Sequence, residues 1–453
     1  MDRSVAIYTL GCKVNQAESA GLLEAFREKG WQPVETGNPA SVCVINTCTV
    51  TKVADHKSAK LIRGTKRRNP GALLVVTGCF AETGKVLLEE MTEIDLVLTN
   101  DKKDELPDLV EAAWRRSHEG QDATGDAEHG ASAVAGTGTS AVAGTSRTRA
   151  MLKLQDGCQQ HCSYCIIPYV RKDRYSMPIR EAVTRAGALV AQGYREIVLL
   201  GIHLGLYGRE TGKREQLSLV YETLLDAYPQ VRFRLGSVEP TEATGRLPAL
   251  IRDYPNACKH LHLPLQSGCD RILSLMHRPY TAADYRAVVM EIRGVVPEIA
   301  LTTDVMTGFP GETEEEHRCS LSFTAEMAFS RLHVFPYSRR PGTPAADMPS
   351  QITVADKERR SNDFIRLGLQ LQERYGESWL GRPQEVLLEE EFEPGQWIGH
   401  SDNYLEVTYT PVYSSKDSSH SSAETPLKGD ILPLKIVGKS LLKQEAWEGV
   451  ALP

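Results

Sequence analysis

The stretch "LQDGCQQHCSYCIIPYVRKDRYS", residues 154–176, directly follows an apolar run at Met151–Leu154 that predicts a β-strand. It contains three cysteines in the spacing C-x3-C-x2-C, which are Cys158, Cys162 and Cys165. Three thiols this close in sequence can hold one metal centre, but structural zinc sites and iron–sulfur clusters usually take four protein ligands. His161 adjoins Cys162, where sharing one tetrahedron is awkward. The sequence therefore leaves the fourth position open.

Downstream of the triad, short apolar runs alternate with amphipathic helical patterns. The candidate strands are Met151–Leu154, Ile197–Leu200, Phe233–Ser237, His260–Pro264, Leu301–Thr307 and Leu332–Phe335. This alternation predicts a complete or partial (β/α) barrel over residues 150–380. Active sites of such barrels lie at the carboxyl ends of the strands, which is where the triad falls.

The flanking segments predict two further domains and a linker. Residues 1–116 alternate β-branched runs such as "SVCVINT" and "ALLVVTG" with helical patterns, which indicates an α/β domain with a parallel sheet. Residues 117–149 are rich in Ala, Gly, Ser and Thr and predict a flexible linker. Residues 381–453 contain short strands without helices and predict a small antiparallel β-barrel. The fold class is therefore α/β and multidomain.

Composition limits the possible functions. The 453 residues are 41% apolar and 25% charged, and no apolar run reaches the ~20 residues that span a bilayer. The start has neither a signal-peptide core nor a cleavage site, so we expect a cytoplasmic protein with no membrane partner. Ten cysteines in that compartment indicate metal or redox ligands and buried filler. Since the net charge is −7, any RNA contact needs local basic patches.

A second cysteine set lies in the first domain. Cys12, Cys48 and Cys79 each come just after a different candidate strand. Because the carboxyl ends of parallel strands share one edge of a sheet, these three thiols are expected to converge and hold a second cluster. Cys43 lies inside its strand and is expected in the core. The alternative is three unrelated buried thiols.

The motifs together resemble the radical S-adenosylmethionine methylthiotransferases. The C-x3-C-x2-C triad, with Tyr164 before its last cysteine, resembles the signature of radical S-adenosylmethionine enzymes. "TLGCKVNQAES", "INTCTV" and "VTGC" resemble the amino-terminal domain of the methylthiotransferases, and the tail resembles their TRAM-like β-barrel. "GCKVNQ", "GIHLG" and "HVFPYSRRPGTPA" resemble the branch that acts on N6-threonylcarbamoyladenosine in tRNA, beside the anticodon at position 37.

This resemblance implies the chemistry. Each cysteine triad would hold a 4Fe–4S cluster with one iron lacking a protein ligand. At the second triad S-adenosylmethionine would occupy that iron and give a radical that removes hydrogen from C2 of the adenine. Sulfur from the first cluster and a methyl group would follow, giving 2-methylthio-N6-threonylcarbamoyladenosine. The implied partners are the tRNA anticodon stem-loop, an electron donor of the flavodoxin or ferredoxin type, and a sulfur source.

Candidate cofactor contacts adjoin the second triad or lie at barrel strand ends. They are Tyr164, Gly201, His203, Ser237, Glu239, Gln266 and Ser267. A structural role explains each one equally well when taken alone. As a set at strand ends, they favour a site for S-adenosylmethionine.

Basic residues on a helix and near strand ends are candidate RNA contacts. They are Arg63, Arg67, Arg171, Arg174 and Arg339. A solvated helix face is the alternative for the first two. From Arg382 onward the sequence contains twelve acidic residues but only six Lys and Arg, so phosphate binding by the tail would depend on Lys435, Lys439 and Lys443.

Three other functions stay open. The acidic tail leaves room for a methylthiotransferase that modifies an aspartate of a ribosomal protein. N6-isopentenyladenosine in tRNA is another possible substrate. A non-enzymatic RNA-binding protein with structural metal clusters is the third.

Overall fold

The computed structural model describes residues 3–118, 148–212, 216–411 and 426–452. The chain forms two compact units, the first of residues 1–146 and 169–171 and the second of residues 147–168 and 172–453. The predicted linker, 117–149, lies almost wholly outside the described residues, so the division into four segments stays a prediction. Within the described ranges, no helix is both long and apolar enough to cross a membrane.

The first unit is built on a parallel sheet in the order β2-β1-β3-β4-β5, as predicted. Its strands are β1 (Ser4–Thr9), β2 (Gln32–Pro33), β3 (Val42–Thr47), β4 (Leu73–Gly78) and β5 (Leu96–Val97). Its helices are α1 (Lys13–Glu28), α2 (Lys52–Arg68), α3 (Cys79–Thr83), α4 (Lys85–Glu89) and α5 (Leu106–His118). Successive side chains of β3 alternate between two apolar cores, so helices cover both faces of the sheet.

The second unit contains six parallel strands that form a partial (β/α) barrel. Its strands are β6 (Ala150–Asp156), β7 (Tyr175–Ser176, a short antiparallel edge), β8 (Glu196–Gly201), β9 (Arg232–Leu235), β10 (His260–His262), β11 (Ala300–Thr307) and β12 (Arg331–Pro336). The sheets β7-β6-β8-β9 and β10-β11-β12 are joined by a bridge between Ser237 and His262. Its helices are α6 (Ile167–Val170), α7 (Ile179–Ala191), α8 (Gln216–Ala227), α9 (Arg246–Asp253), α10 (Asp270–Leu275), α11 (Ala282–Val295), α12 (Glu314–Glu326), α13 (Pro344–Asp347) and α14 (Val354–Glu377).

The tail forms a closed five-stranded barrel in the order β13-β14-β15-β17-β16. Its strands are β13 (Pro383–Glu393), β14 (Gln396–Ser401), β15 (Glu406–Tyr409), β16 (Ile431–Lys439) and β17 (Trp447–Ala451). Every pair is antiparallel except β15 with β17, which is parallel. The predicted small barrel is therefore confirmed, with one parallel closure that the strand pattern did not reveal.

The tail barrel packs against the amino-terminal end of the (β/α) barrel through buried charges. Glu196 of β8 is fully buried and accepts hydrogen bonds from Arg232 and Arg234 of β9. Arg234 also donates to the backbone oxygens of Ser401 (3.0 Å) and Asp402 (2.8 Å) in the tail. Because every charge has a partner, this polar contact can be buried without an unpaired ion.

Candidate cofactor sites

The first cysteine triad lies at one edge of the amino-terminal sheet. Cys12 caps α1 shortly after β1, Cys48 follows β3, and Cys79 begins α3 immediately after β4. Gly11 has a left-handed φ of +99°, and a Cβ on it would lie 2.7 Å from the sulfur of Cys48. The chain beside Cys12 therefore approaches Cys48 at a distance that only glycine permits.

Electrostatics place the three thiols together. Burial, with a smaller contribution from the neighbouring Cys79 and Cys12 thiols, raises the pKa of Cys48 to about 11. Cys43 is fully buried within β3 and belongs to the apolar core. Cys43 therefore lies in the core, as its position inside the strand predicted.

Buried polar side chains support this edge. Asn15 donates to the backbone oxygens of Leu10 (2.8 Å) and Thr47 (2.9 Å), which links the ends of two strands. Its own oxygen lies 3.8 Å from the sulfur of Cys12. Asn15 therefore fixes the turn that presents Cys12.

Glu18 holds two cations near the same edge. Lys103 Nζ lies 2.6 Å from one of its oxygens and Arg171 Nη1 lies 2.8 Å from the other. The side chain of Arg171 is 1% exposed. A glutamate distant in the sequence therefore binds and buries the guanidinium that was a candidate for RNA phosphates.

The second triad follows β6, as predicted. The backbone N–H of Gln160 points at the sulfur of Cys158 (3.4 Å), and a turn from Cys162 to Cys165 is closed by a backbone hydrogen bond of 3.0 Å. Ser163 within this turn donates to the backbone oxygen of Leu275 (2.6 Å). Burial raises the pKa of Cys165 to about 12, and the Cys162 and Cys158 thiols add to that rise. The three thiols thus sit on one anchored loop.

Arg278 is a residue of this site that the sequence did not single out. It is buried and donates to the sulfur of Cys162 (3.4 Å), to the hydroxyl of Tyr280 (3.0 Å) and to the carboxylate of Glu239. Burial raises the pKa of Glu239, against the charges of Arg278 and His203. The only sequence signal was the motif "MHRPY", which carries no spacing argument of its own.

Of the predicted residues Gly201 and His203, which follow one another closely at the end of β8, His203 lies beside Cys158. His203 Nδ1 is 3.7 Å from the sulfur of Cys158, and its Nε2 is 3.5 Å from Glu242. Burial opposes protonation of His203, but the hydrogen bonds to Cys158 and Glu242 prevail and raise its pKa to about 9. A Cβ on Gly201 would lie 3.0 Å from the side-chain oxygen of Gln155, so a larger residue at this position would displace Gln155.

Gln266 is strained and carries a buried oxygen without a partner. Its φ is +66°, a left-handed conformation that costs a non-glycine residue of order 1–3 kcal/mol. It is 7% exposed, and its side-chain oxygen has no hydrogen-bond partner in the structure. An unsatisfied buried acceptor on a strained backbone at a strand end fits a site for a polar ligand.

The other predicted cofactor contacts differ in their exposure and in the groups that their side chains already contact. Ser267 is buried, and its hydroxyl accepts from the backbone N–H of Cys269, so it already serves the local turn. Ser237 is exposed beside β9. Tyr164 is partly buried against an apolar cluster that includes Met306 and Phe309. The structure brings all of them to the same end of the barrel.

Iron–sulfur clusters and single metal ions place different demands on their thiolate ligands. Among the described residues, no three His, Cys, Asp or Glu side chains are placed to hold one metal ion. A four-iron cluster binds each cysteine through a different iron, so its thiolates lie further apart than the ligands of one zinc ion.

The remaining basic candidates are at least partly accessible. Arg63 and Arg67 are exposed on α2 and line a shallow pocket with Lys60 and Glu93. Arg339 is exposed and Arg174 is half-buried. In the tail, Lys439 pairs with Glu373 and Lys443 with Glu406, so neighbouring carboxylates neutralise two of the three candidate lysines.

Comparisons with known proteins agree with this division of the chain. Residues 4–99 match the family model described as "Uncharacterized protein family UPF0004", and residues 152–322 match that of the radical SAM superfamily. A threonylcarbamoyladenosine tRNA methylthiotransferase, MtaB, from Bacillus subtilis is 35% identical over 90% of each chain. A protein of the same name from Thermotoga maritima is 32% identical over 89% of this chain and 90% of its own.

Relatives with other named substrates are similar too. A ribosomal protein uS12 methylthiotransferase, RimO, from Roseiflexus is 33% identical over 84% of each chain. Among solved structures, the radical S-adenosylmethionine methyltransferase TsrM from Kitasatospora setae matches with a TM-score of 0.56 at 15% identity. That match covers 76% of this chain and 75% of TsrM, and it shows a shared fold.

Proposed function

The chain belongs to the radical S-adenosylmethionine methylthiotransferases, and we propose that it adds a methylthio group to C2 of N6-threonylcarbamoyladenosine at position 37 of tRNA. The observation that carries this substrate is the 35% identity, over 90% of each chain, to a relative named for that nucleoside. Enzymes of this family use S-adenosylmethionine and 4Fe–4S clusters. When bound, these groups supply the radical hydrogen abstraction, the sulfur and the methyl group.

We assign the two clusters to the two triads. Cys12, Cys48 and Cys79 would hold the sulfur-donating cluster, because Gly11 and Gly78 clear the space between the strand ends that present them. The second triad, described above, would hold the cluster that binds S-adenosylmethionine. Each set offers three thiolates, which leaves one iron open for an exchangeable ligand.

Four residues of the second unit would orient S-adenosylmethionine. Gln266 offers its buried side-chain oxygen to an amino or hydroxyl group. Glu239 offers a carboxylate that Arg278 holds in place. Gly201 permits close approach of the cofactor to the end of β8. Gln266 and Arg278 are buried, so these side chains would also help to exclude water from the reacting atoms.

Exposed cations would bind the RNA backbone. Arg63 and Arg67 share one face of α2 with Lys60, and these three cations, with Glu93, line a shallow pocket where a phosphate could bind. Arg174 and Arg339 remain candidates near the barrel strand ends. Each lost phosphate contact should reduce the salt dependence of binding by about one unit of slope.

The reductant and the sulfur source follow from the chemistry. We propose an electron donor of the flavodoxin or ferredoxin type and a separate sulfur source, because the reaction consumes both electrons and sulfur. We also propose that the enzyme works in the cytoplasm, where its ten free cysteines would stay reduced. The alternatives are methylthiolation of N6-isopentenyladenosine in tRNA or of an aspartate in a ribosomal protein, for which similar relatives are named.

The test of substrate is nucleoside mass spectrometry of tRNA from cells lacking the gene. The 2-methylthio derivative of N6-threonylcarbamoyladenosine should disappear and its precursor accumulate. An unchanged level of that derivative would reject the proposed substrate, and loss of the methylthio-isopentenyl nucleoside instead would select the first alternative.

The test of the cluster assignment is anaerobic reconstitution of cysteine variants. The intact enzyme should bind about eight irons, as two 4Fe–4S clusters require. Cys48→Ala and Cys162→Ala should each bind about four, while Cys319→Ala, whose thiol is exposed on α12, should bind the full amount. If Cys48→Ala still bound about eight irons, the assignment of the first triad would fail.

A further inference from the structure

The inner face of the last three barrel strands carries ionisable side chains outside the cofactor sites described above. His262 Nε2 of β10 lies 3.3 Å from Asp304 Oδ1 of β11. His333 Nδ1 of β12 lies 3.9 Å from the same oxygen, and the two imidazole rings are 5.5 Å apart. The carboxylate therefore lies between two imidazoles.

Strand alternation places this trio inside the barrel. Leu261 and Leu301 pack into the apolar core under the surrounding helices. Adjacent residues in a strand point to opposite faces, so His262, one residue after Leu261, faces the lumen of the barrel. Asp304, three residues after Leu301, faces the lumen as well. The register agrees, because Asp304 is paired with His333 across the two parallel strands.

The trio lies next to the residues proposed for S-adenosylmethionine. The backbone N–H of Gln266 donates to the backbone oxygen of Asp304 (2.8 Å). The backbone N–H of Val238, which lies between Ser237 and Glu239, donates to the backbone oxygen of His262 (3.0 Å). If the reacting base lies beside the cofactor, a group attached to that base would therefore reach His262, Asp304 and His333 inside the barrel.

Exposure increases across the trio from one strand to the next. The side chains of His262, Asp304 and His333 are 12%, 28% and 52% exposed. They are therefore reachable by a ligand, yet held by one another. A carboxylate flanked by imidazoles offers both acceptors and donors, and an apolar substituent would desolvate them without replacing their hydrogen bonds to water.

We propose that His262, Asp304 and His333 bind the threonylcarbamoyl group of the substrate adenine and select it over an apolar N6 substituent. This inference rests on the proposed function. His333 donates to the carboxylate of the threonyl group, and Asp304 accepts from its hydroxyl or from a ureido N–H. His262 holds Asp304 and, with His333, shields the two carboxylates from each other.

The experiment compares anticodon stem-loop RNAs that carry N6-threonylcarbamoyladenosine, N6-isopentenyladenosine or unmodified adenosine at position 37. For the holoenzyme, kcat/KM and Kd are measured with each RNA for wild type, His333→Ala and Asp304→Asn. His56→Ala, an exposed histidine on α2, is the matched control. Thermal melting checks that every variant is folded.

We expect the wild type to prefer the threonylcarbamoyl RNA and each trio variant to lose about 10- to 100-fold of that preference, since charge-assisted hydrogen bonds disappear. The preference should be unchanged in His56→Ala. Trio variants that keep the wild-type preference within twofold would overturn this inference and leave the proposed function intact. A wild type that converts only the isopentenyl RNA would overturn the proposed function itself.

Discussion

Replacing Glu196 by glutamine removes the carboxylate that pairs with Arg232 and Arg234, which fasten the tail barrel to the (β/α) barrel. Glu196 is 0% exposed, and its oxygens lie 2.6 Å from Arg232 and 2.7 Å from Arg234. The neutral variant leaves two buried guanidiniums without a carboxylate, because glutamine offers one uncharged amide oxygen beside the backbone oxygens of the tail. Breaking a buried ion pair on one side costs about 3–5 kcal/mol. We therefore expect the thermal unfolding midpoint to fall by roughly 6–12 °C.

A matched exposed pair provides the control. Arg246 Nη2 contacts both carboxylate oxygens of Glu222 at 2.7 Å, but their side chains are 49% and 26% exposed. Glu222→Gln should cost less than about 1 kcal/mol, because water screens and solvates this pair. Differential scanning calorimetry of the two variants makes the comparison. Equal losses for the two substitutions would refute the argument that burial, and not the contact itself, sets the cost.

The stability difference between wild type and Glu196→Gln should decrease only in acid and stay constant near neutral pH. Burial opposes ionisation of Glu196, but the charges of Arg234 and Arg232 prevail and hold its pKa well below its usual range. A group whose pKa is depressed by folding contributes its full stability above its unfolded pKa of about 4.3. The difference between wild type and Glu196→Gln should therefore be constant from pH 6 to 8.

Three further predictions concern the cluster sites and one helix. Gly78→Ala, at a φ of +95° where a Cβ would lie 2.4 Å from a backbone oxygen, should lower the iron content after reconstitution from about eight to about four atoms. Arg278→Lys should weaken the hydrogen bond to Cys162 and make the reduction potential of the cluster about 40 mV more negative, which equals about 1 kcal/mol for one electron. An EPR-monitored redox titration measures this shift, and an unchanged potential would show that Arg278 does not tune the cluster through Cys162. The hydrogen bond from Arg271 lowers the pKa of Glu316 to about 2, so the stability lost in Glu316→Gln should be present at pH 6 and shrink as the pH falls below about 4.3 in urea titrations.

The sequence by itself determined the elements and both cysteine triads. Strand and helix periods are local, so β-branched runs and amphipathic repeats located the strands of the sheet and of the barrel. Cys12, Cys48 and Cys79 could be brought together because parallel strands must end at one edge, whatever the helices between them do. The same rule assigned Cys43 to the core.

Only the tertiary structure decided which distant side chains meet. Arg278 is 116 residues from Cys162, and Arg171 is 153 residues from the glutamate that buries it, so no spacing in the sequence relates either pair. Gln266 likewise carries no sequence sign of its left-handed backbone. Such contacts depend on how side chains of separate elements pack and on which charges lose their water, and only the folded chain sets both.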